Sequence, residues 1–165
     1  MARISAQARQ EAFFTDVGIT DTLEGRFEVV SLHAILVLDT LTAHGEEGQR
    51  LIKALSDRMF SSFDHALRET GVTDHSIARK MRNLAENFVG RQRAYTEALP
   101  ADLAGLEQAF HRNLADVAQS ETFLKQLAEY TVLARKKLDE QSPDDLLQGK
   151  IRWPNADECF NRDNA

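Results

Sequence analysis

Apolar residues recur along much of the chain at the three-, four- and seven-residue spacings that bring side chains onto one face of an α-helix. Ile52, Leu55, Met59, Phe63 and Ala66 form one such stripe, and Ile77, Met81, Leu84, Phe88 and Tyr95 form the next. Leu103, Leu106, Phe110, Leu114 and Val117 mark a fifth helix. Leu124, Leu127, Ala134 and Leu138 mark a sixth, expected to stop before Ser142-Pro143 because the residue ahead of proline is biased away from helical angles. A first helix is expected from Ile4 to Thr15. The second differs in kind. It lies in "DTLEGRFEVVSLHAILVLDTL", Asp21 to Leu41, and runs apolar from Val29 to Leu38 with only Ser31 and His33 interrupting. Asp21 reads as its N-cap, and Glu24, three residues on, completes a capping-box pattern.

A membrane span needs about 20 predominantly apolar residues, and Asp39 closes this run early. The stretch therefore reads as a helix buried among other helices, apolar nearly all round and so central. "HGEEG" (His44 to Gly48) breaks the chain, Gly71 is a natural residue to end the third helix, and Thr73 or Asp74 is a natural cap for the fourth, which Pro100 ends. No segment alternates as a strand would, and neither an internal repeat nor a low-complexity stretch is present. The expected fold is all-α: a single-domain bundle of about six helices around an apolar central helix. Residues 1–148 form its body and 149–165 an irregular C-terminal tail, with Trp153 docked on the body.

Composition fits an ordinary globular domain: 165 residues, 42% hydrophobic, 28% charged and three prolines. Net charge is −6, which argues against DNA as a partner of the whole surface. The single cysteine, Cys159, excludes an intramolecular disulfide and a multi-thiolate metal site. The start, "MARISAQARQEAFF", lacks the apolar core of a secretory signal, so cytoplasm is the expected compartment.

Candidate chemistry is sparse. Gly-x-Ser-x-Gly, P-loop and Gly-x-Gly-x-x-Gly patterns are absent. Glu107 and His111 share a helix face, but a di-metal bundle needs Glu-x-x-His motifs on two helices. His33 is expected to be a core histidine bonded to a backbone or carboxylate partner rather than a base or ligand, because no second His or Cys stands at ligand spacing. No enzyme activity, cofactor or metal is expected. From Arg79 to Arg93 five basic residues (Arg79, Lys80, Arg82, Arg91, Arg93) meet one acid, Glu86. This is either a solvated helix face or a docking surface for an acidic partner, anionic lipid or ribosomal RNA. Arg91 falls where the apolar stripe calls for a core residue, so it is expected to point inward and to be paired. Asp64, Glu69 or Asp21 are the expected carboxylates, with a polar groove floor as the alternative.

Two stretches, "QARQEAFFTDVGITDTLEGRFEVVSLHAILVLDTL" and "FDHALRETGVTDHSIARKMRNLAENFVGRQRAYTEAL", resemble the ubiquinol–cytochrome c chaperone family, assembly factors of the respiratory cytochrome bc complex. The most specific parts are Asp21-Thr22 with Gly25-Arg26-Phe27, Leu32-His33, Arg68-Glu69 with Gly71-Val72 and Asp74, and Gly90-Arg91 with Tyr95. Phe14, Glu28 and Thr73 depart from the family pattern, and the region ahead of Gln7 is shorter than is typical.

The resemblance implies a non-catalytic, all-α protein that binds newly made cytochrome b for assembly. Its implied partners are a small partner chaperone and the ribosome, at the inner-membrane periphery. The basic stretch makes Arg79, Lys80, Arg82 and Arg93, with Tyr95, the partner-binding candidates. Asp21, Arg26, His33, Asp64, Arg68, Glu69, Asp74 and Arg91 become candidates for a structural polar network. Two other readings stay open: a bundle that binds a small ligand or isoprenoid, and a basic-patch adaptor for anionic lipid or ribosome.

Overall fold

In a computed structural model, which describes residues 1–69, 71, 74–99 and 103–160, the chain folds as an all-α domain built round one apolar helix. The elements are α1 (Ala2–Gln7), α2 (Leu23–Leu41), α3 (Gly45–Glu69), α4 (Asp74–Ala98), α5 (Leu103–Leu114), α6 (Glu121–Asp139), α7 (Pro143–Leu147) and α8 (Ala156–Phe160). Single 3-10 turns at Glu11–Phe13 and Thr42–His44 join the first pairs. Thr73, Pro100 and the side chain of Asp74, each assigned a role above, lie outside what is described.

α2 is the axis. Fifteen of its 19 residues are buried, and α1, α3, α4 and α6 pack against it. Part of the Leu23–Glu69 helical stretch is apolar and long enough to cross a membrane, so length alone does not exclude a span. Most of that window is nevertheless covered by the rest of the protein. Edge-to-face ring pairs link successive helices: Phe27 with Phe63 at 4.9 Å, Phe60 with Phe88 at 5.6 Å, and Tyr95 with Phe110 at 5.0 Å. Each such pair adds about 0.5–1.5 kcal/mol beyond the area it buries.

Several boundaries differ from the sequence reading. α1 stops at Gln7, and residues 11–13 form the 3-10 turn instead of extending it. The N-cap of α2 is Thr22, whose hydroxyl accepts the Gly25 N–H at 3.0 Å, and not Asp21. The glycine shows why the entry is tight, since a Cβ at Gly25 would stand 2.0 Å from the Thr20 carbonyl oxygen. "HGEEG" does not separate helices by a loop: α3 starts at its first glycine. Gly71 closes α3 with φ of 72°, the left-handed geometry that glycine takes without steric cost. The loop before α2 is pinned to the α5–α6 connection, with Thr20 N–H donating to the Val117 carbonyl and Gln119 N–H to that of Gly18, both at 2.8 Å.

The tail is the largest difference. Residues 149–160 are not irregular throughout, because Ala156–Phe160 form α8 against α6. Phe160 stacks on Phe123 at 5.0 Å and meets Phe13 edge-on at 5.2 Å. Trp153 docks against His33, with ring centroids 4.9 Å apart.

Candidate functional site

Two of the buried polar residues of α2, His33 and Glu28, are accommodated in different ways. His33 is fully buried, and both of its ring nitrogens are bonded: Nδ1 lies 2.7 Å from the Val29 carbonyl oxygen and Nε2 2.7 Å from the Tyr130 hydroxyl. A carbonyl can only accept, so Nδ1 carries the hydrogen and Nε2 accepts from Tyr130. The chain of bonds continues outward. The Gln7 side-chain amide donates to the Tyr130 hydroxyl at 3.0 Å and to the Pro154 carbonyl at 3.1 Å, and the Gln10 side-chain amide donates to Gln7 Oε1 at 3.0 Å. Phe13 and Trp153 cover the imidazole edge-to-face. Burial drops the His33 pKa to about 4, which keeps the ring neutral, and pushes the Tyr130 phenol up. With both nitrogens occupied and no exposed edge, the ring has nothing left for a substrate or ligand. Among the described residues no group of three metal-ligating side chains comes together.

Toward the start of α2, Glu28 interrupts the apolar surface and meets Arg91 of α4. Arg91 Nε bonds the carboxylate while Nη2 donates to the Asn113 carbonyl of α5 at 3.1 Å. The side chains are only 12% and 8% exposed, so one ion pair joins three helices from the inside. Burial pushes the Glu28 carboxyl up from its ordinary value, with the Arg91 guanidinium acting against the shift. The partner is therefore neither Asp64, Glu69 nor Asp21. Asp21 forms a surface pair with Arg26, the two side chains being 51% and 55% exposed, which holds Asp21 below the usual carboxylate range. Asp64 pairs with Arg68 at 2.7 Å and Glu69 with His65 at 3.4 Å, each within one turn of α3. Among the described residues, the expected network includes the surface pairs Asp21–Arg26, Asp64–Arg68 and His65–Glu69, the buried Glu28–Arg91 pair and the His33 chain.

Glu28, Tyr130 and Gln7 were not among the expected site residues. Glu28 had a signal: an acid next to a run of apolar positions, opposite an arginine in a core slot of α4.

The expected basic surface separates in the same way. Arg79, Lys80, Arg82 and Arg93 are exposed on α4, Arg93 in a pair with Glu97 at 2.9 Å. Tyr95 does not belong with them. It is 1% exposed, edge-on to Phe110, with its hydroxyl pKa pushed up first by burial and then by the Glu28 charge, so its stripe faces the core. Beside Lys80 lies a groove of about 300 Å³ between the start of α2, the end of α3 and α4. Leu23, Leu67 and Leu84 supply its apolar surface, and Glu24, Lys80, Asn83 and Asn87 its polar edge.

A family model described as "Ubiquinol-cytochrome C chaperone" matches residues 15–153, from the loop before α2 to the tryptophan on His33. The chain belongs to the ubiquinol–cytochrome c chaperone family. The solved structures include a similar one, described as the Cbp3 homolog from Brucella abortus. It has 34% sequence identity and a TM-score of 0.83, over 94% of this chain and 86% of that one. The ubiquinol-cytochrome c reductase complex assembly factor 1 of Drosophila melanogaster is 27% identical over 158 residues. Those residues cover 89% of this chain and 60% of that relative's length. In this member of the ubiquinol–cytochrome c chaperone family, the sealed His33 chain, the Glu28–Arg91 pair and the groove beside Lys80 all draw on the matched span, whereas α8 lies beyond it.

Proposed function

We propose that this protein is a non-catalytic assembly factor for complex III, ubiquinol–cytochrome c reductase, and that it acts by holding newly made cytochrome b. The observation that carries the reading is the family match over residues 15–153. The relatives' names agree with it, and so does the chemistry of the interior, where His33 is capped on both nitrogens and offers no reactive group. The client-facing surface in this reading is the exposed side of α4 with Arg79, Lys80, Arg82 and Arg93. A small partner chaperone and the ribosome are its proposed companions, at the periphery of the inner membrane.

The test is deletion of the gene in its host. Assembled complex III is expected to fall while the message for cytochrome b is unchanged, because the proposed step follows translation. Normal levels of the assembled complex in the deletion strain would remove the reading. The small-ligand alternative gains nothing from the site, since the ring it would use is sealed.

A further inference from the structure

We infer that the groove between the start of α2, the end of α3 and α4 is the seat of an amphipathic helix from the client polypeptide, one whose polar face is acidic. The proposal rests on the assembly-factor reading only in taking a polypeptide as occupant. The rest comes from the groove and the face of α4 that borders it.

The apolar groups, Leu23, Leu67 and Leu84, all come from the groove lining, and Lys80, Asn83 and Asn87 stand along its α4 side. A cavity of about 300 Å³ has room for a few side chains and not for a backbone, so it takes the knobs of a helix lying across it. Arg79, one turn before Asn83, adds an exposed cation to Lys80, on a protein whose net charge is −6. Glu24 is the one acid in the groove lining. The local field on the α4 side therefore selects glutamates and aspartates against the background charge of the molecule.

Gly90 continues the stripe of Asn83 and Asn87 at the next helical steps. Glycine in mid-helix costs stability relative to alanine, so its place in α4 needs a reason. Inside the molecule there is none, because a Cβ at Gly90 would meet no other described part of the protein within 4 Å. A glycine that no internal neighbour requires, in line with a groove, is what close approach by an outside helix calls for.

Two other classes of partner fit less well. A membrane surface is met by protruding apolar side chains, whereas here the leucines line a depression. RNA held by base stacking needs aromatic platforms, and the groove lining contains none.

The experiment is fluorescence anisotropy on the full chain with a labelled synthetic amphipathic peptide, leucines on one face and glutamates on the other. Its controls are the same peptide with lysines in place of the glutamates, and vesicles of phosphatidylcholine and phosphatidylglycerol. The glutamate peptide is expected to bind, and the lysine peptide to bind roughly tenfold more weakly or not at all. Gly90→Leu blocks the approach and Lys80→Glu reverses the rim, and each should weaken the glutamate peptide roughly tenfold. Both variants should melt as the unaltered protein does, since neither side chain is needed inside. Equal binding of the two peptides, or Gly90→Leu and Lys80→Glu binding like the unaltered protein, would overturn the proposal. So would vesicle binding that these two substitutions abolish while peptide binding survives. Complementation keeps the two readings apart. A deletion strain that lacks complex III but is fully rescued by both variants sinks the groove and leaves the assembly reading. A deletion strain with normal complex III sinks the assembly reading and leaves the peptide result standing.

Discussion

Around His33 every polar atom of the ring is answered from within: Val29 on its own helix, Tyr130 on α6, and through Tyr130 the amide of Gln7 and the Pro154 carbonyl. Along the outer side of α4, Arg79, Lys80 and Arg82 face solvent, Lys80 at the edge of a groove. The contrast separates two uses of polar residues in one bundle. A buried polar group must be bonded, or it costs about 1–3 kcal/mol, so the interior groups fix how helices sit on one another. Exposed cations cost little to leave as they are, and they stay available to a partner.

The contrast breaks most visibly at Arg91. Arg91→Ala leaves the Glu28 carboxylate buried and uncompensated, a loss on the order of 3–5 kcal/mol from a stability of roughly 5–15 kcal/mol. Urea unfolding should show it as a large fall in midpoint, and the double variant Glu28→Gln with Arg91→Met should recover much of it. A thermally silent Arg91→Ala would move this pair out of the interior class.

The second test uses pH. His33 has a pKa of about 4 in the folded protein against an ordinary value of 6.5, so between these limits the unfolded chain binds a proton that the native state does not. Stability contributed by the neutral ring is complete above pH 6.5 and is lost as pH falls toward 4. At 1.36 kcal/mol per unit the loss is about 3 kcal/mol. Glu28, whose carboxyl is raised by burial, acts with the opposite sign, losing stability as pH rises through its own titration. His33→Gln should flatten the pH dependence of stability between pH 4 and 6.5. An unchanged slope in that variant would mean that some other group sets it.

The smallest effect belongs to the outer face. Arg79→Ala, Lys80→Ala and Arg82→Ala should each shift stability by no more than about 0.5 kcal/mol in calorimetry, as surface substitutions do. A shift of the size expected at Arg91 would show that the cations serve the fold.

Much of this division was legible in the chain, and for a definite reason. The 3.6-residue period reports which face of a helix is buried, so α3 to α6 could be read from their leucines and phenylalanines, and Arg91 could be seen to fall on the core side of α4. Period says nothing of what a side chain meets across the interface. The Glu28–Arg91 pair spans 63 residues and His33–Tyr130 spans 97, and neither choice of partner could come from spacing. Asp21 and Thr22 are both good cap residues; the close packing of Gly25 under Thr20 shows how tightly the chosen turn is built. Tyr95 shares the stripe of Phe88, and that spacing should have placed it in the core rather than with the cations. α8 escaped because a five-residue helix is too short to show a period, and what holds it is Phe160 on Phe123 and Phe13.

That last contact ties residues early in the sequence to residues near position 160. Gln7 bonds Pro154 across 147 positions, and Phe13 touches Phe160. A chain is synthesised in one direction. α2 can clasp α3 through Phe27 and Phe63 soon after both emerge, but the flank of α2 that holds His33 has to wait for α6 and then for residues 153–160. Contacts this distant in sequence close late and slow the final step of folding. Until then an unusually apolar helix stands with one side uncovered, the condition in which partly folded chains associate wrongly. By this order of events the protein passes, during its own birth, through an exposed state akin to that from which it is proposed to protect its client.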